Sequence, residues 1–165
     1  YAESDVPEMV AAARESFADV SPWMPWCHAR YSATDALEWV RATEEGHVTG
    51  AMYDFAILDG AGRYARGCGL NQISRLNGVA NLGCWVRPSP TGRGIAPAAV
   101  REVSAWAFEH TPLHRLEIVV AVANTRSQRV AEKAGAHRDA VLKKRTLLGG
   151  VPSDAVLYSI LRPDD

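Results

Sequence analysis

The spacing of apolar residues predicts two helices in the first third of the chain. Over residues 6–17, apolar side chains recur at the three- and four-residue intervals of one helical face. Ser32, with Asp35 three positions later, is typical of a helix N-cap, and the helix that follows is predicted to end near Gly46. The Trp- and Pro-rich segment 21–26 is predicted to be a packed loop, because proline forbids regular helix while indoles supply apolar surface.

The middle of the chain changes to short apolar segments separated by turn residues, which is typical of antiparallel strands. Two turns divide it, one at Gly60-Ala61-Gly62 and one at Leu76-Asn77-Gly78. The predicted strands run over residues 52–59, 63–74 and 79–87.

The second half predicts one more crossover and a closing hairpin. A turn-rich loop over residues 88–94 leads into a helix that reaches about His110, with Pro97 suited to its first turn. A strand from about residue 113, a helix over 127–134 and two strands around Gly149-Gly150 follow. The order α-α-β-β-β-α-β-α-β-β contains one βαβ crossover, so we predict a mixed α+β fold with a mostly antiparallel sheet.

Composition narrows the function classes. The 165 residues are 47% hydrophobic and 22% charged, which fits one domain over residues 1–165. A net charge of -1 gives no bulk attraction for nucleic acid or for an anionic membrane. No apolar stretch approaches the roughly 20 residues of a membrane span and no signal-peptide pattern is present, so a cytoplasmic location is expected.

The cysteines and the first residue add two expectations. Cys27, Cys68 and Cys84 are odd in number and widely spaced, so we expect reduced thiols rather than a disulfide framework or CxxC metal chemistry. The chain begins at Tyr1 without a Met, so a natural first strand is expected to precede it.

The most informative segment is residues 85–96, which lead from a strand through a glycine-rich loop into a helix. Gly92 and Gly94 leave backbone N–H groups unhindered, the helix N-terminus adds unpaired donors, and Arg93 adds a positive charge. This combination predicts a pyrophosphate site, although a GxG pattern alone equally describes a turn that binds no ligand.

Two other phosphate-binding motifs are excluded at the same place. A P-loop requires Lys and Ser or Thr after its second glycine, where this chain has Ile95 and Ala96. A dinucleotide fingerprint requires a third glycine where Pro97 stands.

At these residues the sequence resembles the GCN5-related N-acetyltransferases (GNAT), in particular the group of ribosomal-protein N-acetyltransferases. The family signature is matched at Gly94 and Ala96 and departs at Thr91, where Gln or Arg is usual. A second block, residues 124–135, is similar to the family's Asn-x-x-Ser segment. Weaker similarities lie at residues 81–86 and at Trp26 with the helix that follows.

The resemblance implies a sheet splayed at its central parallel strand pair, about four flanking helices, and acetyl-coenzyme A as cosubstrate. It implies that the backbone N–H of Val86 donates to the thioester carbonyl. The residues implied in cofactor binding are Trp85, Val86, Gly92, Arg93, Gly94, Ile95, Ala96 and Asn124. For Asn124, a plain helix cap is the alternative.

The resemblance also implies direct attack by an amine, without a covalent enzyme intermediate. Ser127 matches the position from which relatives protonate the departing thiolate, and Glu117 is the best remaining carboxylate for the base. Relatives carry carboxylates where this chain has Thr146 and Asn81. An attacking amine must be neutral, so an α-amino group, with a pKa of roughly 7.7–8.0, is mildly favoured over lysine.

Several alternatives stay open. The missing carboxylates and Thr91 motivate one alternative, a non-catalytic sensor or module that binds coenzyme A. Another is an enzyme that uses a different acyl group such as succinyl, since residues 85–96 do not distinguish the acyl groups. The acceptor is one of four kinds of amine, namely a protein N-terminus, a peptide, a polyamine or a small amine, and the oligomeric states that stay open include a homodimer.

Two groups of side chains also have two interpretations each. Trp23 and Trp26 either wall the acceptor pocket or fill the core, and the Lys143-Lys144-Arg145 cluster is either a solvated edge strand or a site for an acidic acceptor. The five histidines show no metal spacing, so no metal is expected.

Overall fold

The described part of the chain forms four α-helices and six strands in the predicted order. The computed structural model describes residues 1–60, 62–86 and 94–163. A 3-10 turn at Glu3–Asp5 precedes the first helix. The helices are α1 Val6–Val20, α2 Ala33–Thr49, α3 Ile95–His110 and α4 Thr125–Lys133. The strands are β1 Tyr53–Leu58, β2 Tyr64–Ser74, β3 Val79–Val86, β4 Arg115–Ala121, β5 His137–Leu148 and β6 Val151–Leu161.

The strands form one sheet in the order β1-β2-β3-β4-β6-β5. Every neighbouring pair is antiparallel except β3 and β4, which are parallel and joined through α3. The predicted mixed fold, with one βαβ crossover in a mostly antiparallel sheet, is therefore confirmed. None of the described helices is long and apolar enough to cross a bilayer.

Helix ends differ from the sequence prediction by up to one turn, for local reasons. The backbone N–H of Ser32 donates to the Asp35 carboxylate at 2.8 Å, so the predicted cap of α2 is confirmed. The same helix continues past Gly46 and ends at Gly50, whose φ of 67° suits a C-cap that glycine adopts without strain.

The two faces of the sheet are covered by different helices. On one face, α3 packs on strands β1 to β4 and buries the largest apolar cluster, which includes Cys68, Leu70, Leu82, Val100 and Leu116. On the opposite face, α1 and α2 cover β1 to β3 around a second cluster that includes Met9, Ala36, Val40 and Tyr64. Successive residues of a strand point to opposite faces, so each of β1 to β3 contributes to both clusters.

The parallel pair separates after a short contact. The ladder between β3 and β4 joins residues 79–81 to residues 115–117 and extends no further along these described strands. Beyond it, β3 stays paired with β2 as far as Val86, while β4 stays paired with β6 as far as Ala121. The predicted splay at the central strand pair is therefore confirmed, and it leaves backbone groups of both strands facing a gap.

Candidate active site

The N-terminus of α3 lies at the end of the chain segment that follows the splayed strand β3. Gly94 is its N-cap with a φ of 90°, a left-handed conformation that favours glycine. No side chain of the described residues caps this end, and its first turn contains no acidic residue. The first N–H groups of a helix lack partners within it, so those of Ile95 and Ala96 are suited to an anion.

A cavity of about 490 Å³ opens on the face of the sheet covered by α1 and α2. Its floor includes Gly83, Cys84 and Trp85, which belong to the part of β3 that has left β4. The cavity therefore adjoins the gap between the two central strands. Its aromatic lining residues are Tyr1, Trp26, Tyr31, Trp39, Tyr64 and Trp85.

Glycines on β2 and β3 lie in the sheet beneath this cavity and carry no side chain that would enter it. Asp54, Gly69 and Gly83 are neighbours in the sheet on three adjacent strands. A Cβ at Gly69 would meet the carbonyl oxygen of Tyr53 and would lie 2.8 Å from Cγ of Asp54. Only glycine therefore fits at position 69, and the Asp54 carboxyl group lies over that glycine, directed from β1 across β2.

Asp54 is a partly buried carboxylate on the cavity wall. The Tyr1 hydroxyl donates a hydrogen bond to its Oδ1 at 3.2 Å. Burial raises the pKa of Asp54 to about 6, although that hydrogen bond opposes the shift. Burial also raises the pKa of the Tyr1 and Tyr64 hydroxyls, and that of Tyr31 to about 12, so all three stay protonated near neutrality.

Sequence analysis missed Asp54. The signal is an acidic residue between Tyr53 and Phe55, whose rings pack on the other face of the strand with the core under α3. A carboxylate in the alternate position of a strand, followed by the closely spaced glycines 67 and 69, marks a place where other groups approach the backbone closely.

The predicted residues Asn124 and Ser127 meet at the start of α4. The Asn124 Oδ1 accepts a hydrogen bond from the backbone N–H of Ser127 at 3.0 Å, so Asn124 caps the helix. The cap fixes the first turn and thereby the position of Ser127, which is partly exposed. This arrangement agrees with the capping alternative for Asn124, and it leaves the role of the Ser127 hydroxyl a prediction.

The predicted base Glu117 stands at the last residue pair of the β3–β4 ladder, opposite Asn81. Its Oε1 accepts a hydrogen bond from Nε of Arg115 at 2.9 Å, and Arg115 also contacts Asp139. Hydrogen bonds from His137 and then Arg115 lower the pKa of Asp139 to about 2. Glu117 therefore belongs to an ion-pair network and is not among the described residues that line the cavity.

Trp85 and Trp26 bring the predicted cofactor strand and the Trp-rich loop together. Their rings meet edge to face with centroids 5.1 Å apart, and both line the cavity. Trp23 is partly buried and is not among the described lining residues. Of the two indoles in this loop, Trp26 therefore lines the cavity, and Trp23 is not among the described residues that do so.

The other predicted residues are placed as follows. Gly92 and Arg93 lie outside the described residues, and Val86 contributes the last paired backbone of β3. Lys143 lies on the edge strand β5 and pairs with Asp154 at 2.8 Å, which agrees with a solvated edge. Among described residues, no group of three or more His, Cys, Asp or Glu side chains is placed to hold a metal.

A comparison with protein-family models decides to which family the chain belongs. Residues 1–137 match the model of the acetyltransferase (GNAT) domain. The chain belongs to this GNAT family. The resemblance that the motifs predicted is thereby confirmed.

Relatives of this GNAT chain include ribosomal-type acetyltransferases. YjcK of Bacillus subtilis, named as an N-acetyltransferase, is 40% identical over 87 residues, which cover 53% of this chain and 48% of YjcK. YdaF of the same organism, named as a ribosomal N-acetyltransferase, is 30% identical over 137 residues, which cover 80% of this chain and 69% of YdaF. The match thus spans about half the length of YjcK and about two thirds of YdaF.

A solved structure has the same fold. It is RimL, a ribosomal alpha-N-protein acetyltransferase, in complex with coenzyme A. The TM-score is 0.88 at 21% identity, and the match covers 98% of this chain and 90% of that chain. The likeness confirms the GNAT fold.

Proposed function

We propose that this GNAT domain, residues 1–165, transfers an acetyl group from acetyl-coenzyme A to a primary amine by direct attack. The observation that carries the proposal is the separation of β3 from β4 beside an aromatic cavity. The gap offers unpaired backbone donors and acceptors to an extended pantetheine chain. The cavity adjoins this gap, so an amine bound in the cavity would lie close to the thioester. An α-amino group of a protein N-terminus is one acceptor of this class, since YdaF is named as a ribosomal N-acetyltransferase.

The residues present fit coenzyme A. Uncapped N–H groups at Ile95 and Ala96, with Gly94 leaving the approach open, suit the pyrophosphate, and Gly92 and Arg93 belong to the same proposed site. A Cβ at Gly94 would meet nothing within 4 Å, so the space beside this N-cap is clear of described atoms. RimL, which shares the fold, binds coenzyme A in its solved structure.

Roles in the transfer follow from these positions. The backbone N–H of Val86 would donate to the thioester carbonyl as its oxygen gains charge, and Trp85 would hold that strand against the acceptor cavity. Ser127, fixed by the Asn124 cap, would supply a proton to the departing thiolate. Glu117 would act indirectly, because its ion pair with Arg115 would fix the place where β3 and β4 begin to separate.

The three cysteines support the proposed cytoplasmic location. None of Cys27, Cys68 and Cys84 forms a disulfide, and the first two are buried. Free thiols persist in a reducing compartment. Acetyl-coenzyme A as a small cosubstrate and an amine as acceptor complete the proposal, and no metal is assigned a role in it.

Turnover of acetyl-coenzyme A over a panel of amines tests the proposal, with free thiol release as the readout. Succinyl-coenzyme A in parallel tests the acyl group. Ser127→Ala is expected to lower kcat roughly 10- to 100-fold with a smaller change in KM. Thr125→Ala, which removes an exposed hydroxyl from the same helix turn, is the matched control. Tight cofactor binding without turnover of any amine would favour the sensor alternative instead.

A further inference from the structure

The acceptor cavity has a chemical character that narrows its ligand. Apolar and aromatic side chains form most of its walls, among them Met9, Met24 and Trp39. The described lining residues include three carboxylates, Asp35, Glu38 and Asp54, and one imidazole, His28, whose Nε2 lies 3.7 Å from an oxygen of Asp35; none of these lining residues is Lys or Arg. Aromatic faces and carboxylates both attract a cation, and aromatic rings also accept an apolar body.

Asp54 is the carboxylate that the sheet directs toward β3, the strand that would hold the thioester. Its carboxyl group lies over Gly69 on β2, because any Cβ at that position would lie 2.8 Å from Asp54 Cγ. Gly83 on β3 is the next residue in the same row, with Asn71 Nδ2 3.9 Å from where its Cβ would stand. Adjacent strands are about 5 Å apart, so the carboxylate is roughly one strand spacing from the strand that leaves β4.

The surroundings of Asp54 favour proton exchange with an amine. Tyr1 donates to it, and Tyr64 on β2 is the other hydroxyl that faces it. From α2, His47 Nε2 lies 3.1 Å from the Asp54 backbone carbonyl oxygen, and Glu38 shares the cavity. The neighbours from α1 that line the cavity, Met9 and Ala13, are uncharged. A carboxylic acid with a pKa of about 6 is a stronger base than an ordinary aspartate.

We propose that Asp54 receives the ammonium group of the acceptor in this cavity and accepts its proton before the amine attacks. This inference rests on the proposed acetyl transfer. One ammonium proton passes to the Asp54 carboxylate, the nitrogen lone pair forms the C–N bond, and the C–S bond breaks. A second N–H proton reaches the departing sulfur, and Asp54 then returns its proton to solvent, so atoms and charge balance.

The same lining identifies the substrate class as a primary amine carried on an uncharged apolar or aromatic body. A free amino acid would bring its own carboxylate among Asp35, Glu38 and Asp54, where the described lining residues include no Lys or Arg and His28 already faces Asp35. An amino-acid amide has the same body without that charge, and so represents both a small amine and a peptide N-terminus. Its α-amino group has a lower pKa than that of the free amino acid, so phenylalaninamide and phenylalanine are compared at equal concentrations of the neutral amine.

The experiment measures kcat/KM between pH 5 and 9 with acetyl-coenzyme A and phenylalaninamide. The wild-type profile is expected to rise through about pH 6, the pKa of Asp54. Asp54→Asn is expected to lower kcat/KM at pH 7 by roughly 100-fold and to remove that limb, with cofactor affinity unchanged by calorimetry. Asp19→Asn, an exposed aspartate on α1, should keep the wild-type profile. Phenylalanine is expected to react at least about 10-fold more slowly than its amide.

Three outcomes separate the inference from the function on which it rests. If Asp54→Asn keeps the rate and the pH profile of the wild type, the proposed role of Asp54 is overturned. Equal rates for phenylalanine and its amide would overturn the substrate class. If the wild type shows no turnover, the proposed function fails, and calorimetry of phenylalaninamide with wild type and Asp54→Asn still decides whether Asp54 receives an ammonium group: equal binding, or none, overturns it.

Discussion

Leu82 and Gly83 are consecutive residues of β3 with opposite surroundings. The Leu82 side chain is buried in the core under α3, whereas Gly83 forms the floor of the cavity under α1 and α2. The contrast repeats on β2, where Cys68 and Leu70 fill the core while Gly67 and Gly69 present no side chain to the opposite face. The same three strands thus build a filled face and an open face from alternate residues.

The difference shows how one sheet serves stability and binding at once. Burial of apolar side chains on the filled face stabilises the fold. On the open face, the missing side chains create a cavity beside the splayed strand, and that cavity holds a carboxylate that burial makes costly to ionise. Substitutions on the two faces should therefore have opposite effects on the free energy of unfolding.

The largest effect is expected on the filled face. Leu82→Ala should lower the free energy of unfolding by roughly 2–5 kcal/mol, because it removes buried contacts and leaves a void. Urea denaturation measures the change. Leu76→Ala is the matched control, since the Leu76 side chain is 95% exposed and its loss should cost little. Equal costs for the two variants would show that the α3 face is not the core of the fold.

Asp54→Asn should change stability in the opposite direction and in a pH-dependent way. The folded pKa of about 6 lies above the ordinary value of 3.8, so folding binds protons and the wild type loses stability as pH rises from about 4 to 6. The amide avoids this cost. The variant should therefore equal the wild type near pH 4 and exceed it by roughly 1–3 kcal/mol at pH 8.

Denaturation at the two pH values checks this difference, with Asp19→Asn as the exposed control. A constant offset between wild type and Asp54→Asn at both pH values would mean that the raised pKa of Asp54 does not contribute to stability. A lower stability of the variant at pH 8 would mean that the charged carboxylate makes stabilising contacts.

The smallest effect on stability is expected at the cavity floor. Gly83→Ala adds a methyl group where Asn71 Nδ2, at 3.9 Å, is the neighbouring atom, and residue 83 does not have a positive φ. Stability should stay within about 1 kcal/mol of the wild type and rise slightly, since alanine reduces the entropy of the unfolded chain. The methyl group occupies acceptor space, so KM for the amine should rise several-fold. A fall in stability with unchanged KM would place residue 83 in the packed core.

Sequence analysis predicted the order of elements, because helical and strand spacings of apolar residues are local signals. The start of α3 was also predictable, since Gly94 and the motif around it are contiguous, and phosphate binding at that helix end stays a prediction. Helix ends were less accurate: Gly46 lies inside α2, where the αL conformation of Gly50 ends the helix one turn later.

The acceptor cavity was harder to predict because its parts are distant in sequence. Tyr1, Trp39, Asp54 and Trp85 meet only after α1 and α2 fold over the sheet. The base assigned from sequence was Glu117, on the strand flanking the gap, but its partner Arg115 lies on the same strand and ties it to the ion-pair network. Asp54 carries no motif, and its position becomes informative only with the register that places it beside Gly69 and Gly83.

Calorimetric titration with acetyl-coenzyme A tests the central claim most directly, because every proposed role depends on the cofactor lying between β3 and β4 and against α3. The wild type should bind one molecule per chain. Gly94→Trp should bind at least about 100-fold more weakly while melting cooperatively. Gly94→Ala has the same strain at the left-handed φ without the indole, and its Cβ would meet no described atom within 4 Å, so it should weaken binding far less, by under about 10-fold. No binding by the wild type, or equal affinity in Gly94→Trp, would contradict the account.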